Sequence, residues 1–214
     1  MVGKNSLQEF WDFHVRKSDK HFSDHLDVGW RGLILKSGRK LMSLMDGLDI
    51  KTVIDWGCGG GIISQELCNK YAVVLLDISL DSILEAEKKC DALGSIVYPQ
   101  EYSLFAKQKV DCIFSHAVIH HFPSIEYFKN ILFEWKQLRP KYLALQIKST
   151  DGDTWSDKEY YNFRGYLNGL VLNRDHFVEL LNEYGFVLHK NFLGAYNTAF
   201  GFYQDYYVFE NESK

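Results

Sequence analysis

The sequence contains no dense run of lysine or arginine. It has 24 basic residues against 28 acidic ones, which gives a formal net charge of −4 at neutral pH, and its sequence pI is near 6.1. A surface of this charge does not steer a polyanion toward the protein. We therefore expect no nucleic-acid partner.

Cysteine is scarce, and apolar runs are short. The four cysteines show no C-x-x-C spacing, so we interpret them as reduced thiols that serve as small apolar residues. No apolar run approaches the length that crosses a bilayer, and residues 1–14 lack the apolar core of a signal peptide. No acidic metal-binding cluster is visible. These absences predict a cytoplasmic protein with neither a metal nor a membrane partner, and they leave its oligomeric state open.

What the sequence does contain is the pattern of a single α/β domain. Its 214 residues, 46% of them hydrophobic, fit one domain with a sizeable core. Apolar β-branched runs alternate with segments of helical period, which is typical of βαβ units around a mostly parallel sheet. The predicted strands span 52–56, 71–77, 95–98, 110–115, 142–147, 186–192 and 205–209, and the predicted helices span 6–16, 31–45, 62–68, 80–93, 124–137 and 174–184.

A glycine-rich turn follows the first predicted strand, in the text VIDWGCGGG over residues 53–61. Strand, glycine turn and helix are how α/β proteins bring bare backbone against a cofactor. The dinucleotide fingerprint G-x-G-x-x-G accepts Gly57 and Gly59 but needs a glycine where Ile62 stands. Here the third glycine is Gly61, and Asp55 precedes the turn. The alternative interpretation is a tight strand-to-helix connection without a ligand.

This spacing resembles motif I of the class I S-adenosylmethionine-dependent methyltransferases, written hhDhGCGxG, at every defined position. The resemblance covers about residues 48–210. It implies a Rossmann-like fold with helices on both faces of a mostly parallel seven-stranded sheet whose last strand is antiparallel. It also implies S-adenosylmethionine as cofactor and S-adenosylhomocysteine as product. The cofactor-binding residues of this motif would be Asp55, Gly57, Cys58, Gly59 and Gly61.

An acidic residue closes the second predicted strand. Asp77 stands about 20 residues after Asp55, at the distance from which a carboxylate accepts hydrogen bonds from ribose hydroxyls. In the family that the chain resembles this is the ribose-binding acid, and Ile78 would then lie against the adenine. A helix N-cap role for Asp77 is the alternative, although Ser79 or Asp81 can cap that helix instead.

The fourth predicted strand leads into a histidine-rich segment. Residues 110–122 read VDCIFSHAVIHHF, which resembles FDxVxSxxVLHHF of small-molecule methyltransferases in the same class. The resemblance implies that Ser115 and His116 border the methionine part of the cofactor. His120 or His121 is the candidate catalytic base, because histidine exchanges a proton near neutral pH; His116 is a further candidate. The alternative is that the paired histidines satisfy backbone groups at a helix start.

These patterns predict an enzyme that transfers a methyl group to a small-molecule acceptor, and we expect O-methylation of a sugar or a biosynthetic intermediate. The alternatives are a protein or tRNA methyltransferase and a non-catalytic subunit or regulator that binds S-adenosylmethionine. We expect one domain over 1–214, with an N-terminal helical lid (1–47), a cofactor-binding half (48–148), an acceptor-side insertion (149–173) and a C-terminal helix and strand pair (174–210).

Overall fold

The computed structural model describes residues 28–101, 109–154, 170–198 and 201–212. The predicted helix over 6–16, most of the expected N-terminal lid and most of the acceptor-side insertion lie outside these residues. The helices are α1 (Val28–Leu44), α2 (Ser64–Cys68), α3 (Leu80–Glu87), α4 (Ile125–Leu138) and α5 (Arg174–Glu183), with a 3-10 turn at Ile119–His121. The strands are β1 (Thr52–Trp56), β2 (Ala72–Asp77), β3 (Gly94–Val97), β4 (Cys112–Ser115), β5 (Tyr142–Thr150), β6 (Leu172–Asn173), β7 (Phe186–Phe192), β8 (Tyr196–Asn197) and β9 (Phe202–Asn211).

Within the described residues, these strands form one sheet whose main path runs β3-β2-β1-β4-β5-β9-β7. The five strands from β3 to β5 are parallel, whereas β9 runs antiparallel to both of its neighbours, β5 and β7. The short strands β6 and β8 pair with β5 and β9 outside this path. The predicted seven-stranded α/β arrangement with an antiparallel last strand is therefore confirmed.

The sheet is covered on both faces, which explains why its central strands are mostly apolar. Successive side chains of a strand point to opposite faces. Val53 therefore packs with Leu41 of α1 and with Met45 just after that helix on one face, while its neighbour Ile54 packs with Trp135 of α4 on the other. Within the described residues, no helix is both long and apolar enough to cross a membrane.

Two helices are shorter than their sequence pattern predicted. The helix predicted over 62–68 begins only at Ser64. The residues before it belong to the glycine turn, in which Gly61 has a left-handed φ of 79°. The helix predicted over 80–93 ends at Glu87. The chain must leave that helix to bring Gly94 into register with Val74 of β2, and the Leu93 amide already donates to the Val73 carbonyl (2.7 Å).

Two strands are longer than predicted, and the reason is their mutual pairing. β5 continues beyond residue 147 to Thr150, and β9 begins at Phe202 instead of at 205. The antiparallel ladder between them extends to the pair Ser149 and Tyr203. Polar residues at these positions interrupt the apolar pattern that predicts a strand. The two segments are strands because β5 and β9, which are distant in sequence, pair with each other.

Candidate active site at the carboxyl edge of the sheet

The residues singled out from the sequence converge on one edge of the sheet. β1, β2, β4 and β5 are parallel neighbours, so their carboxyl ends meet at this edge. The glycine turn follows β1, Asp77 ends β2, and the histidine-rich segment follows β4. In open α/β sheets, ligands bind in the crevice outside the carboxyl ends of the strands.

The three motif glycines all adopt the left-handed backbone conformation, with φ of 81° at Gly57, 51° at Gly59 and 79° at Gly61. They differ in what a side chain would meet. A Cβ at Gly57 would lie 2.3 Å from Val118 Cγ2, and one at Gly61 would lie 2.8 Å from the Ala86 Cα. A Cβ at Gly59 would meet no heavy atom within 4 Å. Two glycines therefore allow close packing, while the middle one borders open space.

Asp77 links the end of β2 to this turn. Its Oδ2 accepts a hydrogen bond from the Gly59 amide (2.8 Å), and its Oδ1 accepts one from the Ser79 amide (2.9 Å). The N-cap of α3 is Ser79, whose hydroxyl accepts from the Ser82 amide. The helix-cap alternative for Asp77 is therefore wrong, and the carboxylate lies against the glycine turn. Ile78 follows it and is half-buried.

Asp55, on β1 just before the glycine turn, is hydrogen-bonded to Ser64, which begins the helix after the turn. It is 3% exposed, and Ser64 Oγ donates a 2.6 Å hydrogen bond to its Oδ2. Burial raises the pKa of Asp55 to about 7, the Ser64 hydrogen bond lowers it, and the charge of Asp77 raises it. Burial, together with these two carboxylates, also raises the pKa of the Cys58 thiol well above its usual range. Cys58 is therefore a neutral apolar residue of the turn at neutral pH.

Ser115 and His116 point in different directions. Ser115 is fully buried, and its hydroxyl donates to the Trp56 carbonyl (3.2 Å). His116 Nε2 lies 2.8 Å from the hydroxyl of Ser37 on α1, which in turn lies 2.9 Å from the hydroxyl of Tyr206 on β9. Burial lowers the pKa of His116 to about 4, so this imidazole is neutral at physiological pH. The role of both residues as cofactor contacts stays a prediction.

His120 and His121 lie on the 3-10 turn after β4, with ring centroids 4.0 Å apart. His120 is 6% exposed, and its Nδ1 has no hydrogen-bond partner among the described residues. Burial lowers the pKa of His120 well below its usual value, and His121, Lys148 and His116 lower it further. The structure thus brings the two candidate bases together and adds the ammonium group of Lys148 on β5.

Sequence reasoning missed four polar residues at this edge: Ser37, Gln146, Lys148 and Gln204. Gln146 Oε1 accepts from the Ala117 amide (2.8 Å) and thereby holds a residue with φ of 60°. Gln204 Nε2 donates to Ser37 Oγ (3.0 Å). The available signal was Gln146 and Lys148 inside the otherwise apolar run of β5, because polar groups in buried strands need a partner or a function.

No group of three or more histidine, cysteine, aspartate or glutamate residues with metal-binding geometry occurs within the described ranges. The first described segment ends at Glu101, and residue 102 lies outside the described residues. There Glu101 is exposed and accepts a hydrogen bond from the Val97 amide (2.9 Å).

Residues 53–138 match the family model described as a methyltransferase domain. A ubiquinone biosynthesis O-methyltransferase from Glaesserella parasuis is 31% identical over an alignment of 103 residues that covers 42% of this chain and 44% of that relative. The match therefore spans less than half the length of the curated relative.

Solved structures match over nearly the whole chain. A magnesium protoporphyrin IX methyltransferase from Synechocystis PCC 6803 with bound SAM has a TM-score of 0.64 and 17% identity, covering 98% of this chain and 97% of its own. A 1,6-didemethyltoxoflavin-N1-methyltransferase from Burkholderia thailandensis, with bound 1,6-didemethyltoxoflavin and S-adenosylhomocysteine, has a TM-score of 0.68 and 12% identity, covering 99% of this chain and 91% of its own. These likenesses show the fold.

Proposed function

We propose that this chain, which has the fold of the class I S-adenosylmethionine-dependent methyltransferases and carries a methyltransferase domain over residues 53–138, binds S-adenosylmethionine and methylates a small-molecule acceptor. The observation that carries the proposal is the pairing of Gly59 with Asp77. The one motif glycine that borders open space is also the one whose amide binds the Asp77 carboxylate.

The residues at this edge fit a nucleoside cofactor. The open side of Gly59 lets a ligand approach the backbone closely, which a side chain would prevent. The Asp77 carboxylate offers about four lone-pair sites, so it accepts ribose hydroxyls in addition to backbone amides. Asp55 and Ser64 hold the turn in place, and Ile78 provides an apolar surface for the adenine.

When bound, S-adenosylmethionine supplies an electrophilic methyl group. The task of the protein is then to align the acceptor with that methyl and to exclude water. His120 and His121 lie beyond β4, where the acceptor would enter. We propose that one of them takes the proton from an acceptor hydroxyl as the oxygen is methylated. The curated relative, an O-methyltransferase by description, supports oxygen as the methylated atom.

Isothermal calorimetry with S-adenosylhomocysteine tests the cofactor assignment. The full chain should bind it, and Asp77→Asn should weaken the affinity at least tenfold, which corresponds to about 1.4 kcal/mol. The control is Asp91→Asn, which removes the same charge from an exposed position and should bind like the wild type. No binding by the wild type, or equal binding by the Asp77 variant, would refute the proposal.

A further inference from the structure

The hydroxyl of Ser37, on α1, is the centre of a small hydrogen-bond cluster. Its oxygen lies 2.8 Å from His116 Nε2, 2.9 Å from the Tyr206 hydroxyl and 3.0 Å from Gln204 Nε2. A serine hydroxyl donates a single hydrogen and offers two acceptor lone pairs. These contacts therefore use its full capacity, and the direction of each bond follows from counting hydrogens.

This count decides which ring nitrogen of His116 carries a hydrogen. The amide nitrogen of Gln204 only donates, so it occupies one lone pair of Ser37. Tyr206 is 5% exposed, and within the described part of the chain its hydroxyl bonds to Ser37 alone. If Tyr206 accepted in that bond, its own hydrogen would be left without an acceptor, which is costly for a buried group. Tyr206 therefore donates, and the hydrogen of Ser37 goes to His116 Nε2.

The other nitrogen of this ring then carries the hydrogen and has nothing to bond to. Burial lowers the pKa of His116 to about 4, so the ring is neutral at physiological pH and its hydrogen lies on Nδ1. His116 is 8% exposed, and among the described residues its side chain bonds only through Nε2. Buried polar groups are nearly always hydrogen-bonded, so an exception needs an explanation. A ligand that accepts a hydrogen bond from Nδ1 supplies one.

Strand order indicates which part of the cofactor reaches His116. β2, β1 and β4 are consecutive neighbours in the sheet, and in the proposed function the nucleoside lies at Asp77, which ends β2. The chain after β4 packs directly on the glycine turn, since a Cβ at Gly57 would lie 2.3 Å from Val118. The amino-acid part of S-adenosylmethionine therefore extends across this turn toward β4. It carries an ammonium, which only donates hydrogen bonds, and a carboxylate, which accepts them.

We propose that His116 donates its Nδ1 hydrogen to the carboxylate of S-adenosylmethionine, and that Ser37 and Tyr206 are positioning residues that set this tautomer. The inference rests on the proposed function and deepens it, because it assigns the amino-acid end of the cofactor to a residue held from α1 and β9. A neutral donor also adds no positive charge beside the sulfonium. A ring with its hydrogen on Nδ1 has no lone pair there, so His116 binds the cofactor and is not the base.

The tautomer is measured by NMR on the full chain with histidine labelled with ¹⁵N and with no ligand present. We expect the His116 signals of a neutral ring that is protonated on Nδ1. Ser37→Ala should mix the two tautomers, and Ser37→Thr, which keeps the hydroxyl, should preserve the wild-type signals. The control Ser43→Ala removes an exposed hydroxyl of the same helix, which donates to the Lys40 carbonyl, and should change nothing. A wild-type ring protonated on Nε2 would overturn the assignment.

Titration calorimetry with two ligands tests the carboxylate contact. One ligand is S-adenosylhomocysteine, and the other is its decarboxylated analogue, which keeps the amine. His116→Gln keeps an amide near the position of Nε2 but has no donor in place of Nδ1. We expect this variant to bind S-adenosylhomocysteine roughly tenfold more weakly and to bind the decarboxylated analogue as the wild type does. Equal losses for both ligands would show a structural role and overturn the inference.

A rescue variant and the wild type itself complete the test. His116→Asn places an amide where Nδ1 stands and should retain most of the preference for the ligand with the carboxylate. If the wild type binds both ligands equally well, the cofactor proposal stands and the carboxylate contact is refuted. If it binds neither ligand, the cofactor proposal itself fails, and the contact with it. The tautomer is measured without ligand and is judged independently of both results.

Discussion

Alanine substitutions at Gly59 and Gly61 are expected to separate cofactor binding from folding stability. Both residues have positive φ, a conformation that costs a residue with a Cβ about 1–2 kcal/mol. At Gly59 that is the whole penalty, since no heavy atom lies within 4 Å of the new Cβ. At Gly61 the Cβ would meet the Ala86 backbone at 2.8 Å, and overpacking of this kind adds about 1–3 kcal/mol.

The expected stability losses differ by roughly twofold or more. For a chain of this size, 1 kcal/mol shifts the melting temperature by about 2–4 °C. At about 3 °C per kcal/mol, Gly59→Ala should therefore melt about 3–6 °C below the wild type, and Gly61→Ala, which loses about 2–5 kcal/mol in total, about 6–15 °C below it. For cofactor affinity, in contrast, we expect the larger loss in Gly59→Ala. The methyl group of Gly59→Ala would occupy the open side of the turn. We expect this variant to bind S-adenosylhomocysteine at least tenfold more weakly, by about 1.4 kcal/mol.

Differential scanning calorimetry gives the melting temperatures, and titration calorimetry with S-adenosylhomocysteine at a temperature where all variants are folded gives the affinities. Gly94→Ala is the control, because its Cβ meets nothing within 4 Å and its φ is not in the left-handed region. Wild-type affinity in Gly59→Ala would show that the open side of this turn is not where the cofactor lies. Equal destabilisation of the two variants would contradict the packing argument.

His120→Ala or His121→Ala should lower turnover by about 10²–10⁴-fold with nearly unchanged cofactor affinity, if that histidine is the base; full activity in both, measured with an identified acceptor, would refute the assignment. The pKa of His116 is lowered to about 4 in the folded protein, so its contribution to stability falls as the pH drops from about 6.5 to 4. Between pH 6.5 and 4, urea unfolding should show that His116→Gln loses about 3 kcal/mol less free energy of unfolding than the wild type does. The same pH dependence in both proteins would contradict this expectation. Arg174→Met should cost about 3 kcal/mol, because it removes the bidentate partner of the fully buried Asp205. In the same assay, the double variant Arg174→Met, Asp205→Asn should regain part of the lost free energy of unfolding, because it no longer buries an unpaired carboxylate. No recovery would show that the loss does not come from that buried charge.

The fold was predictable wherever the physical cause is local. β1 was predicted with its observed bounds, Thr52–Trp56, because its apolar, β-branched residues Val53 and Ile54 suit a strand buried on both faces and the glycines that follow Trp56 end it. The glycine turn and Asp77 were found for a related reason. Only a few residue types tolerate the backbone conformation and the hydrogen bonds that this edge of the sheet demands.

The proposed acceptor side was predicted only in part, because its residues are brought together by pairing between distant parts of the chain. The two histidines are adjacent in sequence and were visible as a pair. Lys148 joins them only because β5 continues beside β9, where it is paired with Gln204. The contact between His116 and Ser37 of α1 is likewise set by how a helix docks on the sheet, and no local pattern encodes that.

The position of β9 has a consequence for how the protein is made. Residues 202–211 form the last of the described strands in chain order, yet they insert between β5 and β7 with eight paired positions along β5. While the ribosome is still translating that strand, β5 has no neighbour on one side. The nascent sheet then presents a long open edge that another chain can pair with. The antiparallel part of the sheet therefore assembles only once β9 has been made, and until then the free edge of β5 is available to a strand of another chain.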